Sequence, residues 1–326
     1  MAYTSIEICA GAGGQALGLE AAGFEHAALV ELDAMACQTL RYNRPNWNVI
    51  EKDVKRFSAK SFKDVDLLAG GVPCPPFSIA GRQLGQEDER DLFPEALRLV
   101  EECSPNAVML ENVKGILSAK FEDYRQHIIS RLNKLGYLCD WRLVNASDYG
   151  VSQLRPRAIL VALKKEIFPF FQWPEKAAYE PVPIGQLLHD EMASNGWDAT
   201  AWAAAANSIA PTLVGGSKKH GGADLGPTRA KQAWAALGVD GRGLADAPPA
   251  PGYEGMPRLT LQMTALVQGF PASWTFAGRK TPAYRQVGNA FPPPVAEAIG
   301  QSISQALAHY GKQQQTPKKR LKSKAA

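Results

Sequence analysis

No apolar run in this 326-residue chain approaches the ~20 residues needed to span a bilayer. The N-terminus has no basic segment leading into an apolar core, so a secretory signal is not expected and a cytoplasmic setting is. Cysteine is scarce. Cys9, Cys37, Cys74, Cys103 and Cys139 are odd in number and include no Cys-x-x-Cys pair. That argues against a disulfide framework or a zinc cluster and for a reducing compartment; no metal is expected. No internal repeat is present. A charge excess is also missing from the body of the chain. From Lys312 onward there are six Lys and Arg and no acid, and the rest holds 30 basic against 32 acidic residues. Residues 312–326 therefore read as a disordered basic tail, either phosphate-attracting or merely solubilising. Net charge does not identify the function.

What the chain has is core material: 45% of its residues are hydrophobic and 21% charged. Its length calls for one large domain plus a smaller one. Ser5–Cys9, Ala27–Val30, Val65–Ala69, Ala107–Leu110 and Ile159–Leu163 read as strands. Gln15–Ala22, Ala34–Asn43, Pro94–Glu102 and Tyr124–Lys134 read as the helices between them. Such alternation predicts an α/β fold, a doubly wound and mostly parallel sheet with helices on both faces. A hairpin-like pair, Cys139–Asn145 and Ala158–Leu163, would extend it. After about Leu163 the texture turns aromatic, then rich in Gly, Ala and Pro with little periodicity, and Ala199–Ala206 reads as a short helix. Helical patterning returns from Leu259, and Val295–Ala306 reads as a closing helix. The expected division is a catalytic domain from 1–168 and 281–326 and an irregular second domain over 169–280.

The first strand runs into Gly11-Ala12-Gly13-Gly14-Gln15-Ala16, a Gly-x-Gly-x-x-Gly/Ala turn opening a helix. Glycines there let the backbone approach a ligand, and the helix start offers free amides. Glu31 ends the second strand, where a carboxylate accepts bonds from ribose hydroxyls. Asp53 follows the third, placed to accept from an adenine amino group. These features indicate an adenosine-containing ligand and leave a nicotinamide cofactor and S-adenosylmethionine both open. A tight turn with a solvated acid is the bland alternative.

The strand Asp66–Gly71 leads into Val72-Pro73-Cys74-Pro75-Pro76-Phe77-Ser78. Prolines on both sides keep Cys74 out of any ladder or helix and hold it on a stiff loop, which suits a nucleophilic thiol. Glu111-Asn112-Val113 follows another strand, and Gln153-Leu154-Arg155-Pro156-Arg157 a third region. Arg258-Leu259-Thr260 through Gln268-Gly269-Phe270-Pro271 and Tyr284-Arg285-Gln286-Val287-Gly288-Asn289-Ala290 come later. In this order these motifs resemble those of the DNA (cytosine-5) methyltransferases, over nearly all of the chain except about Glu166–Pro257 and the tail.

The resemblance implies a Rossmann-like fold with a target-recognition domain, S-adenosylmethionine as cofactor and S-adenosylhomocysteine as product. It implies Cys74 as the nucleophile toward carbon 6 of cytosine and Glu111 at the ring nitrogen. Arg155 and Arg157 would bind the base's carbonyl oxygen and brace the loop. The cofactor side falls on Cys9, Gly11, Gly13, Gly14, Glu31, Leu32, Asp53, Val54, Pro73, Asn289 and Ala290. DNA would meet Ser78, Arg82 and Gln83, in a polar loop Ser78–Asp91 expected to close over it, and Thr212, Leu213, Lys218, Lys219 and Arg229 in the recognition segment. That segment suits about four to six base pairs, since one module spans about half a turn of groove. Because cytosine carbons 5 and 6 are stacked in a duplex, the base must be flipped out.

Two departures stand out: Cys9 occupies a position where the family has Phe, and Gln262-Met263 replaces an acidic pattern. Competing readings are an RNA cytosine methyltransferase, a catalytically silent DNA-binding homologue and a dehydrogenase. The ~90-residue recognition segment, the full catalytic set and the Pro-Cys-Pro loop weigh against each in turn. A compact catalytic unit without an added regulatory domain suggests a monomer acting on double-stranded DNA, in a restriction–modification pair or alone.

Overall fold

The computed structural model describes residues 2–73, 91–216 and 222–315. In chain order the elements are β1 (Tyr3–Ile8), α1 (Gly14–Ala21), β2 (Phe24–Glu31), α2 (Ala34–Asn43), β3 (Val49–Glu51) and β4 (Leu67–Gly71). There follow α3 (Phe93–Cys103), β5 (Ala107–Val113), α4 (Glu122–Lys134), β6 (Tyr137–Asn145) and β7 (Pro156–Lys164). The second half holds α5 (Ile184–Ala193), α6 (Thr200–Ala205), α7 (Thr228–Ala235), α8 (Leu261–Val267), α9 (Lys280–Asn289) and α10 (Pro293–Gln315).

The strands form one seven-stranded sheet in the order β3-β2-β1-β4-β5-β7-β6. β1 to β5 pair in parallel, while β7 runs antiparallel between β5 and β6. The central strands carry almost unbroken apolar runs because both faces are covered. On one face Leu68, Val108, Leu110 and Leu160 pack with Phe93, Leu99 and Val100 of α3 and Ile128 and Leu132 of α4. On the other, Leu67, Met109 and Val161 pack with Leu19 of α1 and Val295, Ile299 and Ile303 of α10. Winding in both directions from β1 and β4 leaves the carboxyl ends of adjacent strands to diverge there, and ligands bind in that crevice.

Two glycines let α1 reach α10. A Cβ on Gly14 would stand 2.2 Å from the Phe291 carbonyl oxygen, and one on Gly18 would stand 2.3 Å from that of Pro293. Any side chain there would push the helices apart. α10 begins two residues before, and extends nine beyond, the helix expected from the sequence, so 312–315 continue it rather than starting a tail. From Thr316 the tail lies outside the described residues.

A second apolar cluster draws on α5 to α9 and the loops between them, with Trp202, Trp234 and Trp274 among its buried members. Among the described residues no strand occurs between α5 and α10. The Gln262-Met263 departure has a local answer: Thr260 caps α8, and the Met263 sulfur accepts from the Thr260 amide at 3.3 Å, where a capping-box carboxylate would sit.

Candidate active site

At the carboxyl end of the sheet, Gly71 of β4 faces Glu111 of β5 across a parallel pair. A Cβ on Gly71 would lie 3.2 Å from Glu111 Oε2, so glycine leaves room for the carboxyl group over the rim. Asn112, buried beside it, donates from Nδ2 to the Val72 carbonyl at 2.8 Å. That bond fixes where the chain leaves β4, and Pro73 is tied by its carbonyl to the Leu92 amide at 3.2 Å. The backbone on either side of 74–90 is therefore anchored next to Glu111.

The next strand supplies the counter-charge. Arg157, the second residue of β7, is paired with Val113, and its Nε lies 2.7 Å from Glu111 Oε1, with both side chains largely buried. Burial raises the Glu111 carboxyl above its ordinary value despite the pull of Arg157 and Arg155. Burial likewise lowers the Arg157 guanidinium. A carboxyl group so placed retains a proton more readily than an exposed one and can give it to a ring nitrogen.

Glu111 and Gly71 form one wall of a cleft of about 270 Å³ whose other walls are the glycine loop, Glu31 and the α9–α10 junction. Gly11 and Gly13 both adopt positive φ, at 54° and 87°, and Gly13 opens α1 without a side-chain cap, so the first amides of α1 have no capping side chain. Cys9 also has positive φ, 52°, a strained position for a residue with a Cβ. Glu31 anchors this loop: its carboxylate accepts from the amides of Gly11 at 2.7 Å, Leu32 at 2.8 Å and Asp33 at 2.7 Å. Two further polar side chains line the cleft almost wholly buried, Glu7 at 1% and Gln15 at 3% exposure. Neither Glu7 Oε2 nor either polar atom of Gln15 has a hydrogen-bond partner in the protein. Burial, then the negative charge of Glu31, pushes the Glu7 carboxyl well up.

A model of the C-5 cytosine-specific DNA methylase family matches residues 3–305. The chain belongs to that family. It is similar to the Type II methyltransferase M.NaeI of Lentzea aerocolonigenes, at 59% identity over 93% of this chain and 75% of that protein. It is also similar to M.NgoMIV of Neisseria gonorrhoeae, at 57% identity over 94% and 99%. Among solved structures, a DNA modification methyltransferase from an Escherichia coli prophage shares 23% identity and superposes with a TM-score of 0.66, covering 94% and 99% of the two chains. Spodoptera frugiperda DNMT2, at 17% identity, 0.63 and the same coverage, shares the fold too.

Of the residues the family resemblance singles out, the cleft gathers Cys9, Gly11, Gly14, Glu31, Glu111, Asn289 and Ala290. Gly13, Leu32, Asp53, Val54 and Pro73 are not among its lining residues. Leu32 is exposed, Val54 is buried, and Asp53 accepts from the Lys55 amide. Arg155 does not reach the cleft. It is fully buried, and its guanidinium donates to the carbonyls of Leu213 at 2.8 Å, Gly288 at 2.7 Å and Ala290 at 2.9 Å. Of the two roles expected for the arginines, its geometry is that of a brace, shared with Gln153, which accepts from the Leu213 amide at 2.9 Å.

Leu213 requires correction. Expected to meet DNA, it is 1% exposed in the second core with both backbone polar groups engaged by Gln153 and Arg155. Thr212 is accessible, its hydroxyl donating to the Leu154 carbonyl, and Arg229 is exposed on α7. Cys74, Ser78, Arg82, Gln83, Lys218 and Lys219 lie outside the described residues. Glu7, Gln15 and Phe291 of the cleft were not singled out from the sequence. An acid inside the apolar run Ile6-Glu7-Ile8 was the available signal, since a strand buried on both faces has no structural use for one.

Proposed function

We propose that the protein transfers a methyl group from S-adenosylmethionine to carbon 5 of a cytosine flipped out of a short specific sequence in double-stranded DNA, through an adduct between Cys74 and carbon 6. The observation that carries this is the buried Glu111–Arg157 pair. It stands one strand from the backbone leading into Pro73-Cys74 and on the wall of a cleft that begins at a glycine loop.

The residues of the cleft fit the cofactor. Unpartnered buried polar atoms are rare because they cost about 1–3 kcal/mol each. Glu7 and Gln15 offer such atoms to the cationic and carboxylate ends of an amino-acid moiety, and the open α1 amides favour the carboxylate. Glu31 keeps lone pairs for ribose hydroxyls. When bound, the cofactor supplies an electrophilic methyl group to carbon 5 and leaves as S-adenosylhomocysteine.

The protein's own groups make carbon 5 able to take that methyl. The Cys74 thiolate forms a bond to carbon 6, and the displaced π electrons move toward ring nitrogen 3. Glu111 gives its proton to that nitrogen, and Arg157 stabilises the carboxylate left behind as well as the base's carbonyl oxygen. Carbon 5 is then an enamine carbon. After methylation the carbon 5 proton passes to a base, the electron pair re-forms the ring double bond, Cys74 departs from carbon 6 as thiolate, and the proton on ring nitrogen 3 returns to Glu111. The names of the two similar Type II enzymes support a restriction–modification role. The proposal extends to a cognate endonuclease acting on the same site, a bacterial cytoplasmic setting and, from one active site acting on one strand at a time, a monomeric working unit. Among the described residues no helix is long and apolar enough to cross a membrane.

The test uses tritiated cofactor and duplex DNA carrying 5-fluorocytosine, resolved on a denaturing gel. Fluorine cannot leave carbon 5 as a cation, so a labelled protein–DNA band is expected for the wild type and none for Cys74→Ala. A band formed only with structured RNA would replace the substrate, and none with either would refute the reaction.

A further inference from the structure

The cleft that begins at the glycine loop is lined by four acids, Glu7, Glu31, Asp33 and Glu111, and, among the described residues, by one cation, Arg285 of α9. Three of the acids are engaged. Glu111 pairs with Arg157, Glu31 accepts from three amides, and Asp33 caps α2 through the Met35 and Ala36 amides at 3.0 and 3.3 Å. Arg285 is different. It is half-buried, yet no hydrogen bond or ion pair to a described residue holds its guanidinium. Drawing a charge from water without pairing it is unfavourable, so the group is suited to an anion that arrives with a ligand.

Its polar neighbours on α9 have structural partners. Pro282, Arg285, Gln286 and Asn289 recur at helical spacing and together form the α9 wall of the cleft. Gln286 accepts from the Thr39 hydroxyl at 2.6 Å and donates to the Ala277 carbonyl at 2.8 Å. Asn289 donates to the Gly216 carbonyl at 3.3 Å. The end of α9 abuts the start of α1, where a Cβ on Gly14 would lie 3.2 Å from that of Ala290. Arg285 precedes Ala290 by five residues, roughly 7 Å along the helix axis, which its own side chain can span. There α1 presents Gln15, 3% exposed, whose two polar atoms have no partner.

Arg285 and Gln15 together decide what the anion is. Phosphates lie on the outside of a duplex, and Gln15 is too deeply buried to meet one, unlike exposed Arg229. A small molecule that enters the cleft reaches both groups. An arginine fork and an amide N–H are donors for the two oxygens of a carboxylate, and charge-assisted bonds of this kind are strong. The rest of the cleft is acidic, which suits cationic groups on the same ligand. A ligand ending in one carboxylate beside an ammonium, as an α-amino acid does, matches that distribution of charge.

We propose that Arg285 is the counter-ion of the cofactor's carboxylate, shared with Gln15 Nε2, and that it selects ligands carrying the amino-acid end. This rests on the proposed use of S-adenosylmethionine. The test is calorimetric titration of the full chain with two ligands. One is S-adenosylhomocysteine; the other is 5′-deoxy-5′-(3-aminopropylthio)adenosine, which keeps the ammonium but lacks the carboxylate. Wild type should bind the second about ten- to a hundredfold more weakly. Arg285→Gln should lose a similar factor for S-adenosylhomocysteine and bind the truncated ligand as well as wild type does, or better. Equal affinity of the two proteins for S-adenosylhomocysteine would overturn the proposal. So would a loss of the same factor for both ligands, which marks a disturbed cleft. Loss of DNA affinity alone would also overturn it, by marking a phosphate contact. A wild type that binds neither ligand would instead remove the cofactor reading on which the proposal stands.

Discussion

The sheet and the region around the second apolar cluster hold their side chains by different means. On the sheet, Gly71, Glu111 and Arg157 sit at fixed registers on β4, β5 and β7, so a backbone ladder sets their spacing. Around the second cluster, Arg242 and Arg258 are held by the one carboxylate of Asp240, and the surrounding loops by scattered backbone bonds and buried tryptophans. Chemistry on a single base needs reacting groups fixed to a fraction of an ångström. A surface built of loops tolerates a looser frame.

The hardest blow to this comparison would be a tolerant sheet. Glu111→Gln keeps the shape but not the proton, and methyl transfer should fall by about 10²–10⁴-fold with cofactor affinity retained; single-turnover assays and calorimetry measure the two. Next in size is Trp234→Ala in the second core, expected to cost about 3–5 kcal/mol of stability. Denaturant unfolding followed with and without cofactor should show DNA methylation lost while cofactor still binds. Loss of both together would mean that the two cores unfold as one. Arg155→Met probes the seam between them. It strips donors from the buried carbonyls of Leu213, Gly288 and Ala290 and should destabilise by about 3 kcal/mol, weakening both cofactor and DNA binding. Selective loss of one alone would place Arg155 in that core only.

The smallest effect concerns Glu7. Its folded pKa lies above the unfolded value, so the fold favours the protonated carboxyl. Wild-type stability from this group is therefore fully present below the ordinary carboxylate range and is lost as pH rises from there toward the folded pKa. Glu7→Gln should remove that decline, gaining on the order of 1 kcal/mol near neutrality while binding cofactor less tightly. Melting temperatures taken from pH 4.5 upward would show it, and parallel curves for the two proteins would refute it.

The parts legible from sequence are those in which local pattern and fold agree. α2 matches its expected bounds because Asp33 caps it and an amphipathic run follows. The strands were found by apolar runs, and the β6–β7 pair extends the sheet as expected, through its antiparallel register. Burial of polar residues was the blind spot. Arg155, Gln153 and Gln15 look like surface residues in a sequence, and only three-dimensional closure reveals that carbonyls from residues 213, 288 and 290 surround the first. Leu213 failed in the opposite sense: it stands beside an accessible threonine, yet its side chain is buried in the second cluster and its backbone is held by Gln153 and Arg155.

The contact of Gly14 and Gly18 with the start of α10 has a consequence for the order of assembly. The cleft floor joins residues about 280 positions apart, and closing so long a loop carries roughly 5 kcal/mol of chain entropy from its length alone. At ~5–20 residues per second on the ribosome, the glycine loop waits roughly 15–60 s for its partner at Phe291. Until then the nascent chain has β1 and its acids but no finished floor, so methylating competence arrives late in synthesis. In a cell where an unmodified site is a liability, that delay sets how early the newly made enzyme can begin to protect DNA.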